Sequence, residues 1–272
     1  MYKKVATLFI SILSVIALSA CGQTKTNNDS SKINEVIEKT TTDASGIITE
    51  MVSYYSQHPE AQGYLAMPED GTNLPTVILI HEWWGMNEDM NRKAEQFAKE
   101  GYVALAVDLY NGKSAQTPDE ARELAGGVQS NMEEAFNNLQ AAVIYLKNLP
   151  NVDIERLASV GWCFGGGWSY QMAKNNLGTK ASVMYYGRFS PDDDLSMMKA
   201  LILGNFGEED ASIKVDDVKE FQVTLGKIDD RHEIYIYPNA GHAFANEDSD
   251  AYNKEAADLA WQRTLDFLKK NL

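Results

Sequence analysis

The 272-residue chain is poor in cysteine, in basic side chains and in long apolar runs. Two cysteines are too few for the disulfide framework of a small secreted domain. Lysines and arginines number 24 against 39 aspartates and glutamates, a net charge of −15, and no basic cluster interrupts the acidic excess. Such a surface repels phosphate backbones and anionic headgroups, which argues against nucleic-acid binding and against electrostatic attachment to membranes. After the first 20 residues no apolar run approaches the length of a bilayer span. There is no HExxH or CxxC pair to supply a common zinc site, and no internal repeat.

What is present begins with MYKKVATLFISILSVIALSA, residues 1–20: Lys3 and Lys4, an uncharged apolar run from Val5, then small residues. This is the pattern of a secretory signal peptide. The junction Leu18-Ser19-Ala20-Cys21 resembles the bacterial lipobox, which implies that Cys21 becomes the lipidated first residue of the mature chain. Ordinary cleavage after Ala20 is the alternative, and both place the protein outside the cytoplasm, on the outer face of the cell membrane or in the periplasm. Residues 21–46 then comprise the lipidated Cys21 and a polar, flexible tether. A lipidated Cys21 leaves Cys163 as the sole thiol, either buried and inert or present for its reactivity.

Residues 47–272 read as one domain. Short apolar runs (Val77 to Ile80, Val103 to Val107, Leu157 to Val160, Ala181 to Tyr186, Ala200 to Leu203, Ile234 to Tyr237) alternate with helical patterns. Met90, Ala94, Phe97 and Ala98 share one helical face; Met132, Ala135, Phe136, Leu139, Val143 and Leu146 share another. Residues 213–225 predict a third helix, and Ala257, Trp261, Leu265 and Leu268 mark the last. The alternation predicts an α/β fold, a mainly parallel sheet with helices on both faces, preceded by an antiparallel hairpin over Ile47 to Met67. Active sites of such sheets gather at the carboxyl ends of the strands.

One such end carries Gly161-Trp162-Cys163-Phe164-Gly165, a G-x-C-x-G turn from strand to helix. It is the nucleophile elbow with cysteine in the serine position. A Gly-rich turn here could alternatively bind phosphate, although it lacks the Lys-Ser/Thr of a P-loop. An elbow nucleophile needs an acid and then a histidine later in the chain. Asp210 follows the run ending at Leu203, with Glu208 and Glu209 as alternatives, and His242 follows the run ending at Tyr237. His58 and His232 read as surface residues, and His81 as a packing or loop-orienting residue beside Glu82.

With these residues in order, the chain resembles the dienelactone hydrolase family of α/β-hydrolases. The likeness runs from about Met51 to Leu272 and includes His81-Glu82-Trp83-Trp84-Gly85, Asp108-Leu109-Tyr110, the elbow, Tyr185-Tyr186-Gly187 and Gly241-His242-Ala243-Phe244. The resemblance implies Cys163 as nucleophile, His242 as general base and then acid, Asp210 as its partner, and Glu82 as an additional acid contacting the resting thiol. It places the oxyanion at the backbone N–H groups of Trp83 and Phe164, and implies no metal or organic cofactor. Trp84, Trp162, Tyr185 and Tyr186 are candidate walls of the substrate pocket. Arg188 and Arg122 are candidate partners for a substrate carboxylate, since the residues after His242, through Asn246 at the pocket, include no arginine. The expected activity is hydrolysis of a small ester, lactone or thioester through an acyl-cysteine intermediate. A non-catalytic ligand-binding lipoprotein on the same fold is the alternative.

Overall fold

The computed structural model describes residues 41–42 and 46–272. The signal peptide, Cys21 and most of the predicted tether lie outside the described residues. A compact unit spans Lys39–Leu272. Among the described residues its nine strands are β1 (Thr41–Thr42), β2 (Ile47–Ser53), β3 (Gln62–Pro68), β4 (Leu74–Ile80), β5 (Val103–Val107), β6 (Val152–Trp162), β7 (Ala181–Tyr185), β8 (Leu201–Gly207) and β9 (Glu233–Tyr237). They form one sheet in the order β1-β2-β3-β5-β4-β6-β7-β8-β9. Pairings from β5 through β9 are parallel, and those among β1, β2, β3 and β5 are antiparallel. The parallel sheet and the antiparallel hairpin are thus as the sequence predicts. The tether boundary differs: Thr41–Thr42 pairs with Ile48 and Thr49, so the sheet begins inside the stretch read as tether. A two-residue edge strand is too short to carry a periodic signal.

The described helices are α1 (Glu88–Lys99), α2 (Pro118–Ser130), α3 (Met132–Lys147), α4 (Phe164–Lys174), α5 (Val215–Ile228) and α6 (Lys254–Asn271). Strand parity decides which helix each side chain meets. Val77 and Leu79 of β4, Val160 and Trp162 of β6, and Val183 and Tyr185 of β7 join the core shared with Phe97 of α1 and Phe267 of α6. Ile78 and Ile80 join Leu139 and Leu146 of α3 and Trp168 of α4 on the other face. Phe221 and Leu225 of α5 cover Met184 and Ile202. The sheet is therefore buried on both sides, which is why its central strands read as continuous apolar runs.

Two boundaries move for local chemical reasons. Strand β8 continues past Leu203 to Gly207 because the polar Asn205 is fully buried and accepts a hydrogen bond from the Tyr237 hydroxyl at 2.7 Å. Helix α5 starts at Val215 rather than 213, since the amides of Ser212 and Ile213 are occupied by the Asp210 carboxylate.

Candidate active site

Cys163 sits between β6 and α4 with φ +54° and ψ −113°, a backbone conformation that non-glycine residues rarely adopt. The strain is held by packing around the elbow. A Cβ on Gly161 would lie 2.0 Å from the Gly165 carbonyl oxygen, and one on Gly165 would lie 2.1 Å from that of Ile80. The Cys163 amide donates to Tyr185 O at 2.9 Å, and its carbonyl accepts from Gly167 N at 3.2 Å. The side chain is left at the N-terminus of α4, where partial positive charge favours an anion.

His242, in the loop after β9, points Nε2 at Cys163 Sγ over 3.1 Å. Its Nδ1 lies 2.7 Å from Asp210 Oδ2. The other carboxylate oxygen of Asp210 accepts from the amides of Ser212 (2.7 Å) and Ile213 (3.1 Å), so the buried acid is held at both ends. Glu208 and Glu209 are exposed, and neither reaches the imidazole. Three strand-end loops thus bring a thiol, an imidazole and a carboxylate into one line.

Burial alone would lower the His242 pKa, but hydrogen bonding and charge from Asp210 and Cys163 outweigh it and raise it to about 10. Burial of Asp210 acts upward on its pKa; the bond and charge of His242 and the two amides outweigh this and hold the carboxyl below its ordinary value.

The sequence profile described as the Dienelactone hydrolase family matches residues 61–272. The chain belongs to the dienelactone hydrolase family. A protein of Synechocystis sp. named "Putative carboxymethylenebutenolidase" is 31% identical over 244 residues, covering 83% of this chain and 98% of its own length. A protein of Methylorubrum extorquens with the same name is 32% identical, covering 84% and 83%. Among solved structures, one described as a "Putative Dienelactone Hydrolase" of Klebsiella pneumoniae has a TM-score of 0.71 at 28% identity, covering 82% of this chain and 99% of its own. The fold is therefore that of the α/β-hydrolases, and the protein is a dienelactone hydrolase-like hydrolase of small ester or lactone substrates.

The remaining residues predicted for this dienelactone hydrolase-like site divide into two groups. Trp83 and Trp84 are half-buried with rings 5.0 Å apart in the loop after β4. The backbone N–H groups of Trp83 and Phe164 have no hydrogen-bond acceptor among the described residues. Tyr186 lies against His242, with ring centroids 5.1 Å apart. Trp162 and Tyr185, in contrast, do not wall the thiol. Strand parity turns both rings onto the α1 and α6 face, where they stack on each other at 5.4 Å; Lys93 of α1 covers Trp162 and Thr264 of α6 bonds the Tyr185 hydroxyl. Arg188 is exposed beside a hollow of about 160 Å³ that includes Phe189, Ser212 and Asp217. Arg122 is exposed and paired with Asp119 of its own helix.

Glu82 departs from expectation. Its carboxylate oxygens accept from the Tyr186 hydroxyl at 3.0 Å and from Asn246 Nδ2 at 2.7 Å, while the thiol's partner is His242. Asn246 accordingly holds Glu82 instead of lining an open pocket, and is 9% exposed. Burial raises the Glu82 pKa against the opposing influence of Lys93, Asn246 and Tyr186. His58 bonds Glu60 in the β2–β3 turn, and His232 is half-buried, not at the surface, because its Nδ1 accepts from Ile202 N. Among the described residues, no cluster of three or more His, Cys, Asp or Glu side chains could hold a metal ion.

Proposed function

We propose that the protein hydrolyses a small ester, lactone or thioester through an acyl-cysteine intermediate, with Cys163, His242 and Asp210 acting as a triad. The observation that carries this reading is the continuous line from Asp210 Oδ2 through the imidazole to Sγ, with contacts of 2.7 and 3.1 Å. The Cys163 thiolate attacks the substrate carbonyl, forming the C–S bond while the carbonyl π electrons pass to oxygen. The backbone N–H groups of Trp83 and Phe164 hold that oxyanion. Collapse re-forms C=O and breaks the bond to the alcohol, whose oxygen takes the proton from His242 Nε2. A water then gives a proton to Nε2 and attacks the thioester. The second tetrahedral adduct expels the Cys163 thiolate and leaves the acid, with His242 again an imidazolium and Asp210 balancing its charge.

The test is p-nitrophenol release from short-chain esters by wild type and Cys163→Ala, with mass spectrometry of the quenched wild-type reaction. Turnover lost in the variant, together with an acyl adduct on Cys163, is the expected result. Folded protein with an accessible thiol but neither turnover nor adduct overturns the reading in favour of a ligand-binding lipoprotein.

The N-terminal sequence supports a second element of the reading. Lys3, Lys4, the apolar run from Val5 and Leu18-Ser19-Ala20-Cys21 make Cys21 the site of a lipid anchor. The hydrolase is thereby tethered on the outer face of a bacterial cell membrane or in the periplasm. Attachment comes from acyl chains, because the acidic surface offers no electrostatic alternative.

A further inference from the structure

We infer that His81 is a positioning residue of the oxyanion site: its imidazole locks the Glu82–Trp83 peptide so that the Trp83 N–H faces the reacting carbonyl. The inference rests on the proposed role of Trp83 and Phe164 and adds the device that holds them.

His81 follows β4 and is fully buried. Its Nε2 lies 3.2 Å from the backbone N of Leu109, which can only donate, so Nε2 is the acceptor and carries no proton. The ring proton is then on Nδ1, which lies 2.5 Å from the Glu82 carbonyl oxygen, a group that can only accept. One backbone amide on β5's following loop therefore selects the tautomer. Burial also holds the imidazole pKa down, against the neighbouring Asp108 charge, which keeps the neutral form.

The Glu82 carbonyl and the Trp83 N–H belong to one planar trans peptide and point in opposite directions. Fixing the oxygen fixes the N–H. The same oxygen also accepts from Gly85 N at 3.2 Å, and the next carbonyl, that of Trp83, accepts from the Tyr110 hydroxyl at 3.1 Å. The peptide is thus gripped from the side away from the donor, and the donor itself is left free. The other face of the ring meets the second half of the site: His81 stacks on Phe164 at 5.7 Å with an interplanar angle of 14°. A single buried side chain thus bonds the carbonyl of the Glu82–Trp83 peptide and stacks on Phe164, the two places whose amides would receive the oxyanion.

Two isosteric changes separate the two ring nitrogens. His81→Asn keeps a donor near the Nδ1 position and drops the acceptor for Leu109; His81→Gln keeps an acceptor near Nε2 and drops the donor to Glu82. The readouts are kcat and KM for a p-nitrophenyl ester and the rate of Cys163 alkylation by iodoacetamide, a reaction that forms no oxyanion. The expected result is a fall of about 10²-fold in kcat for His81→Gln, comparable to losing one oxyanion donor, with recovery to within about tenfold in His81→Asn and alkylation within about twofold of wild type in both. Equal losses in the two variants, a loss confined to KM, or alkylation falling in parallel with kcat overturns the inference. Should a His81 variant fail to fold, the wild-type protein still decides: ¹⁵N chemical shifts must show the His81 proton on Nδ1 at neutral pH, and a proton on Nε2 overturns it. Cys163→Ala assayed alongside separates this outcome from failure of the underlying mechanism. Retained turnover there sinks the acyl-cysteine reading itself, whereas lost turnover there with a fully active His81→Gln sinks only the role of His81.

Discussion

Nε2 of His242 lies 3.1 Å from Sγ of Cys163 although the two residues are separated by 79 positions in the chain. With Asp210 on its far side, the imidazole is held as a cation well above its ordinary range, at about 10. Because loss of the His242 proton removes the group that protonates the leaving alcohol, kcat/KM is expected to fall as pH rises through about 10. Stability follows the same sign. The folded pKa is raised above the unfolded value near 6.5, so the folded state binds more protons between the two values. The stabilisation is fully present below about 6.5 and is lost as pH climbs to about 10. Thermal melts of wild type and His242→Gln across this window test it: the wild-type advantage shrinks with rising pH, and a constant difference refutes the ion pair.

Asp210 is distinguished from its acidic neighbours by what surrounds it. It is buried and bonded by His242 and two amides, while Glu208 and Glu209 are exposed. Asp210→Asn keeps the shape but removes the charge that fixes the imidazole tautomer, and kcat is expected to fall on the order of 10³ to 10⁴-fold. Glu208→Gln and Glu209→Gln should stay within about threefold of wild type, the scale of a surface change without a contact to lose. Steady-state kinetics on the three variants checks the assignment.

The elbow glycines answer to geometry. At Gly161 an added Cβ would stand 2.0 Å from a carbonyl oxygen, and no side-chain rotation relieves a clash between backbone atoms. Gly161→Ala is expected to destabilise the fold by about 3 kcal/mol or more and to remove activity with it, whereas Gly226→Ala, with open space at its Cβ on α5, should be neutral or slightly stabilising. Denaturant midpoints of the two variants make the comparison.

Much of this arrangement is legible in the chain, for identifiable reasons. The apolar runs of β4 and β5 are uninterrupted because both sheet faces are covered. The G-x-C-x-G turn stands out because its glycines are forced by backbone proximity. Asp210 and His242 are found from their order after the elbow. Other features depend on which way a side chain turns at a strand end. Trp162 and Tyr185 sit next to site residues in sequence, yet parity turns both rings into the core beneath α1 and α6; spacing from Val160 and Val183 carries that signal. The bonds from Glu82 to Tyr186 and Asn246 cross 104 and 164 residues, and no local pattern encodes them.

The proposed anchor makes a separate prediction. In a bacterial host that processes lipoproteins, the full chain is expected in the membrane fraction, with a mass increase from acyl chains on Cys21. Cys21→Ser should lose the acyl mass increase with kcat/KM unchanged, since Cys21 has no part in the proposed triad. A wild-type chain recovered from the membrane fraction with no acyl mass increase on Cys21 contradicts lipid attachment.

Glu82 joins the loop after β4 to those carrying Tyr186 and His242, and its burial raises its pKa. A carboxyl whose folded pKa lies above the unfolded value binds more protons when folded, so its ionisation costs stability as pH rises between the two values. Glu82→Gln has no charge to lose. Its oxygen can accept from Asn246 and its amide can donate to Tyr186, so the link between the loops is kept. Relative to wild type, Glu82→Gln is therefore expected to gain thermal stability progressively as pH rises from the acid range toward neutrality. Tyr186→Phe and Asn246→Ala should do the reverse at neutral pH. Each leaves one buried carboxylate oxygen without a donor, at a cost of about 1–3 kcal/mol. Melting temperatures of the three variants between pH 4 and pH 8 decide the matter: if Glu82→Gln is less stable than wild type throughout, the carboxylate charge is being used by a cation such as Lys93 and burial is not its dominant influence.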